Sequence, residues 1–186
     1  RGGRGPSSGT AAAARSLIDA AALREVDIAI DFDDVTATYV RIEGVDKYVG
    51  YDPVLWTERD DELDPLSRDG WVRTAQVTLP RLAAGEADRR VLEQRAAALF
   101  DHVDVVMTPT STVPPFAAAG PMPTEVAGTP VHAGMASALQ FWASVGNLPA
   151  ISVPAGLTAD GLPVGLQIIA PRFREDVCLR RGRIAE

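Results

Sequence analysis

Two apolar runs separated by a short polar turn set the tightest limit on how this chain can fold. Ala150-Ile151-Ser152-Val153-Pro154 and Pro163-Val164-Gly165-Leu166-Gln167-Ile168-Ile169 flank the pair Asp160-Gly161. An Asp-Gly pair between apolar runs of this length predicts two strands joined by a turn. Pro149 and Pro154 bracket the first run and remove ladder donors, so that strand is expected to be short and closed to extension. Gly156, Gly161 and Gly165 permit tight turns or close backbone approach. Gln167 interrupts an otherwise apolar strand, where Leu166, Ile168 and Ile169 would bury its amide at least in part. A buried amide needs partners. Gln167 is therefore either a satisfied core residue or a hydrogen-bonding group in a pocket wall.

Upstream, the pattern alternates between helix and strand. Residues 1–10 (RGGRGPSSGT) read as flexible, and residues 11–24 are rich in the helix formers Ala and Leu. In residues 25–32, Val26, Ile28, Ile30 and Phe32 alternate with polar positions, the signature of a half-buried strand. Residues 34–50 carry strand-favouring Thr36, Thr38 and Val40, yet Val35, Tyr39, Ile42 and Val49 also stack on a helix face; helix is the favoured reading. The acidic stretch 51–70 is broken by Pro53, Pro65 and Gly70 and reads as loop or a short helix. Residues 71–79 are helical, and Leu82, Val91, Leu92, Ala96, Leu99 and Phe100 form the apolar stripe of a long helix. Val103 to Met107 is a short strand. Six prolines between residues 108 and 130 exclude a long regular element there. Residues 134–145 and 175–186 are helical. Of the adjacent aromatics Phe141 and Trp142, one is expected to pack inward while the other covers the surface or a substrate channel.

Composition removes several function classes. The chain has 186 residues, within the roughly 100–200 typical of one domain. Its net charge of −7 argues against general binding to nucleic acid phosphates. No apolar run approaches the ~20 residues that span a bilayer. Cys178 is the only cysteine, which excludes an internal disulfide and a cysteine zinc site and fits a reducing, cytoplasmic compartment. His102 and His132 have no metal-ligand spacing, and the acidic groups Asp31, Asp33, Asp34 and Asp60, Asp61, Glu62, Asp64 do not match a calcium loop. They read as solvated faces; no metal and no cofactor is expected. His102, beside Asp101 at a helix end, suits the helix dipole, and His132 sits in the Pro-rich loop. Lys47 is the single lysine against seventeen arginines, so a lysine base has one candidate.

The longest informative stretch begins at Phe100. Asp104-Val105-Val106-Met107-Thr108-Pro109-Thr110 resembles the D-V-L-L-T-P-T strand of the amidase signature family. Leu148 to Gly156 and Asp160 to Pro171 resemble that family's L-P-A-I-S-V-P-A-G and D-G…L-P-V-G-L-Q-I-I-G-P runs almost letter for letter. The resemblance is close over residues 80–186 and loose over 20–75. Two positions depart from it. Ser144 stands where the family usually has Asn, and Asn147 where it has Gly; Asn147 can still take the left-handed conformation.

The resemblance implies an α/β fold, a mixed sheet flanked by helices, forming the C-terminal portion of an amidase. It implies hydrolysis of carboxylic amides by Ser–cis-Ser–Lys acyl-enzyme chemistry. Those catalytic residues belong to a part of the family that precedes the matched region, so no catalytic residue is assigned here. Ser7-Ser8 faintly resembles the family's Gly/Ser-rich signature but lacks a preceding lysine, and Gly5-Pro6-Ser7-Ser8-Gly9 lacks the strand a nucleophile elbow needs. Lys47 does not sit in the family's lysine context. Residues 1–15 are read as a flexible segment and 16–186 as an incomplete amidase domain, inactive alone, supplying pocket walls. Thr108 and Thr110, at a strand's C-terminal end, are the first substrate-pocket candidates; Trp142 and Gln167 follow. The expected partner is a small-molecule amide, without direct nucleic acid or membrane contact. A truncated sheet would leave an open edge, which a homodimer is one way to cover. Two alternatives stay open: the A chain of a glutamyl/aspartyl-tRNA amidotransferase, with partner subunits, and a non-catalytic amidase-derived scaffold.

Overall fold

The computed structural model describes residues 8–50, 54–126, 128–132 and 135–185. The predicted hairpin forms: β4 (Ala150–Leu157) pairs antiparallel with β5 (Pro163–Ile169). Its turn is closed by Gly161 N–H to the Thr158 carbonyl (3.0 Å), with Gly161 at φ 78°. β1 (Val106–Pro109) pairs antiparallel with the other side of β5, giving the strand order β1-β5-β4. A two-residue ladder, β2 (Glu125–Val126) with β3 (Thr129–Pro130), lies within the Pro-rich segment.

Register explains where the prolines are tolerated. Ala170 N–H donates to the Pro149 carbonyl, so odd-numbered residues of β4 bond to β5 and even-numbered ones turn their backbone outward. The nitrogen of Pro154 therefore faces the free edge, and no ladder bond is lost. β4 runs on to Leu157, longer than the sequence reading, through a register shift after Pro154 where Gly156 takes φ 94°. Pro109 likewise ends β1 at a position turned away from β5. β1 starts at Val106 rather than Val103 because His102 and Val103 N–H groups are spent on the Leu99 carbonyl at the helix exit.

The helices are α1 (Ser8–Ala20), α2 (Phe32–Gly50), α3 (Val54–Thr57), α4 (Pro65–Ala75), α5 (Leu79–Phe100), α6 (Ala138–Val145) and α7 (Glu175–Ala185), with short 3-10 turns at Asp60–Glu62 and Met135–Ser137. The boundary at residue 15 falls inside α1. α5 starts three residues before the expected Leu82: Thr78 caps it by accepting from Arg81 N–H, and Pro80 fits the first turn.

The strand expected at residues 25–32 is not formed. Residues 23–31 have no regular structure, and Val26 and Ile28 are 38% and 39% exposed. Among the described residues no strand pairs with this alternating stretch. Asp31 instead accepts from the N–H groups of Asp33 and Asp34 through Oδ1 and starts α2 at Phe32.

The sheet has a core on each face. On one, Leu166, Ile168, Val153 and Ala155 pack with Leu17 of α1, and Ala170, Val177 and Cys178 extend the layer along α7. On the other, Val106 and Ile169 pack with Phe141, Trp142, Ala143 and Val145 of α6, then Val35 of α2 and Leu92 and Ala96 of α5. Tyr39 stacks on Phe141 (3.8 Å, 5°), and Phe100 on Trp142 (5.9 Å, 22°). Both aromatics of the Phe141-Trp142 pair are thus buried.

Ile168 is 0% exposed and Leu157 62%. Ile168→Ala should cost about 2–5 kcal/mol and Leu157→Ala close to nothing, as read by urea unfolding. Burial, with a smaller push from Glu175 and Asp176, holds the Cys178 thiol above its ordinary range. Its folded pKa exceeds the unfolded one, so its contribution is fully present below the unfolded pKa and lost as pH rises through the folded value. Stability should fall at alkaline pH above about 8.5, and Cys178→Ser should flatten that decline.

Candidate functional site

A row of polar groups crosses the sheet on the face that carries α6. Thr108, Gln167 and Ser152 stand in register on β1, β5 and β4. Strand periodicity puts them on the same face, with Gly165 next along β5. Gln167 is 5% exposed, and its Nε2 donates to Thr108 Oγ1 (3.0 Å) and to the Leu139 carbonyl of α6 (3.1 Å). This satisfies both donors of the buried amide and ties the sheet to the first turn of α6.

One step along, Thr110 N–H donates to the Gly165 carbonyl (3.0 Å), and Gln140 Nε2 donates to the Thr110 carbonyl (3.1 Å). Thr110 Oγ1 and Ser152 Oγ share a hydrogen bond of 2.6 Å. The bridge passes directly over Gly165: a Cβ there would meet Thr110 Oγ1 at 2.6 Å and Ser152 Oγ at 2.7 Å. Glycine is required at that point for the two outer strands to touch across the central one. Ser152 is exposed and Thr110 half-buried, so the bridge is open to solvent while the Gln167 contacts behind it are not.

Three of the four residues expected in a pocket wall, Thr108, Thr110 and Gln167, come together on this face. Trp142 lies in the core behind it, 3% exposed and stacked on Phe100. Sequence reasoning missed Ser152, Gln140 and Gly165 as members. For Ser152 the signal was present: it is the one polar residue of its strand, and period 2 turns it away from Ile151 and Val153.

A second polar node lies on α5. Glu93 Oε1 accepts from Arg89 (2.6 Å) and Asn147 Nδ2 (2.8 Å), with Arg172 at 3.9 Å. Asn147 has φ 50°, the left-handed conformation expected of it, and Ser144 donates to the Gln140 carbonyl (3.3 Å). Two open cavities of about 340 and 630 Å³ flank this node, the first floored by Ala97, Phe100, Leu148 and Pro171 and the second lined by Glu86, Ser144 and Asn147. Opposite charges meet at this node.

Ser7 lies outside the described residues, and Lys47 lies in the last turns of α2 with its side chain likewise outside them. His102 and His132 are both exposed. Among the described residues no cluster of three His, Cys, Asp or Glu side chains is placed to hold a metal ion, and no helix is long and apolar enough to cross a membrane. Gln167→Leu removes both amide bonds and unties the buried end of the sheet from Thr108 and from the first turn of α6. A loss of about 1–3 kcal/mol is expected, measured by urea unfolding.

Comparison with known proteins agrees with this architecture. The model of the Amidase family matches residues 33–179. Among curated relatives, the A chain of glutamyl-tRNA(Gln) amidotransferase from Natronomonas pharaonis is 46% identical over 83 residues, covering 45% of this chain and 18% of that protein. Its counterpart from Chlorobium phaeobacteroides is 41% identical over 95 residues, covering 51% and 19%. The chain thus spans about a fifth of the length of the curated relatives it matches. Among solved structures, a bacterial aryl acylamidase of the amidase signature family superposes with a TM-score of 0.71 at 19% identity, over 94% of this chain and 39% of that one. The fold is shared across that span. The family model covers most of the chain, from the first turn of α2 into α7, and the chain belongs to the amidase family.

Proposed function

We propose that this chain acts in the hydrolysis of carboxylic amides, as part of an enzyme working through a Ser–cis-Ser–Lys acyl-enzyme. Its role is to supply walls of the substrate pocket. The observation that carries the reading is the polar row on the α6 face of the sheet: Thr108, Gln167 and Ser152 held in register with Thr110 beside them, buried bonds behind and an open hydroxyl bridge in front. Such a row offers fixed donors and acceptors to a small polar substrate over a rigid apolar base. Trp142 supports this wall from behind. The nucleophile and base are not among the residues of this row. No cofactor is called for, and the setting is cytoplasmic. A homodimer would cover the free edge of β4.

A second reading rests on the identity to the A chains of amidotransferases. The same wall would then serve an enzyme that passes ammonia to a partner, and the natural gene product would co-purify with a second polypeptide.

The test is ammonia release from simple amides, by the natural gene product that carries this sequence and by residues 1–186 alone. The first should release ammonia and the second should not. Hydrolysis by residues 1–186 that disappears in Ser7→Ala or Lys47→Ala would overturn the assignment of this chain to the pocket wall.

A further inference from the structure

We propose that the Thr110–Ser152 bridge is a recognition site for a primary carboxamide, the group –CO–NH2; this rests on the pocket reading above. The two hydroxyl oxygens are 2.6 Å apart, so one hydroxyl donates to the other. Within that bond one hydroxyl is the donor and the other the acceptor. The acceptor hydroxyl still has its own hydrogen, free to donate outward. The donor hydroxyl still has two lone pairs, free to accept. The bridge therefore shows solvent one donor and one acceptor side by side, at a separation set by a hydrogen bond.

A primary carboxamide carries the complementary pair. Its carbonyl oxygen accepts, and the N–H on the same side as that oxygen donates. Docked edge-on, it closes a ring of three hydrogen bonds, hydroxyl to carbonyl, amide N–H to hydroxyl, and hydroxyl to hydroxyl. Each bond polarises the next in the same sense. The direction of the central bond is free to reverse, since either oxygen serves as donor.

Related groups fill only part of the ring. An ester has no N–H. A carboxylate sets its second acceptor oxygen against the lone pairs of the donor hydroxyl. A trans N-substituted amide has its N–H on the side away from the carbonyl oxygen. The site thus reads the bond geometry of the substrate and not only its polarity.

The surroundings keep the bridge in place. Gly165 leaves the space above the central strand that both hydroxyls occupy. The Thr110 backbone is held at both ends, by its N–H on the Gly165 carbonyl and by Gln140 on its own carbonyl. Ser152 sits on the outer strand and is exposed, so a ligand reaches the pair without displacing a core residue.

The experiment is an NMR titration of the 186-residue chain with benzamide, N-methylbenzamide, methyl benzoate and benzoate, following the backbone amides of Thr110, Ser152 and Gly165. The same titrations are run on Ser152→Ala and Thr110→Val, each first shown by its spectrum to be folded. Saturable benzamide shifts at these three amides, at least fivefold weaker for the other three compounds and weakened in both variants, are expected. Equal binding of all four compounds at these residues, or benzamide binding that neither variant weakens, would overturn the inference while leaving the pocket reading in place. Saturable shifts confined to Thr108 and Gln167 would do the same. Absence of any saturable shift on this face would overturn the inference and the pocket reading together.

Discussion

The burial of one strand organises this molecule. From Leu166 to Ala170 every residue of β5 and its exit is at most 5% exposed, and the strand has a ladder on both edges and a helical layer on both faces. Its backbone groups have no water to turn to, so β1 and β4 must pair with it in one register. A slip by one residue would turn Gln167 into the α1 and α7 layer and Ile168 into the polar row. That single constraint places Thr108, Thr110 and Ser152 beside Gln167 and Gly165. The site is a by-product of the register, which is why residues from three separated segments meet on the strands and at their ends.

The α6 face is divided by chemistry into two zones. Near Ile169 and Val106 it is apolar and sealed by Phe141, Trp142 and Val145. Near Gly165 it is polar and open. Gln167 stands at the boundary: its chain is buried with the first zone, and its amide binds Thr108 of the second and the first turn of α6. A glutamine suits that place because it can satisfy a helix carbonyl and a threonine hydroxyl at once. A leucine would bury as well and hold neither. The two readings left open for Gln167 from the sequence are thus compatible, since its amide is satisfied within the core and forms the back of the polar row.

Much of this is legible in the chain before any coordinates. The Asp160-Gly161 turn and its two apolar runs predict the hairpin because turn chemistry and strand pattern agree there. The stripe of α5 is legible because charges fill the opposite positions. The failed strand at residues 25–32 shows the limit. Its alternation is as regular as that of β4, but a strand needs a neighbour, and one carboxylate, Asp31, offers the backbone a helix start instead. Prolines mislead in the other direction: Pro154 reads as a boundary, yet it sits inside β4 at a position whose nitrogen points away from the ladder. Ser152 escapes notice because its importance comes from Thr110, 42 residues away, and nothing local to either residue announces the other.

The order of the strands also has a consequence in time. β1 is synthesised first, β4 next and β5 last, yet β5 is the common partner of the other two. β1 therefore leaves the ribosome before its partner β5, followed by a segment whose prolines keep it from forming a long competing helix or strand. β4 and β5 can zip locally through their short turn as soon as both are present. β1 then docks against a finished hairpin, closing a long loop, the slow kind of contact in a folding chain. The Thr110–Ser152 bridge, which needs all three strands, is accordingly among the last of these contacts to form, and its presence reports that β1, β5 and β4 have assembled.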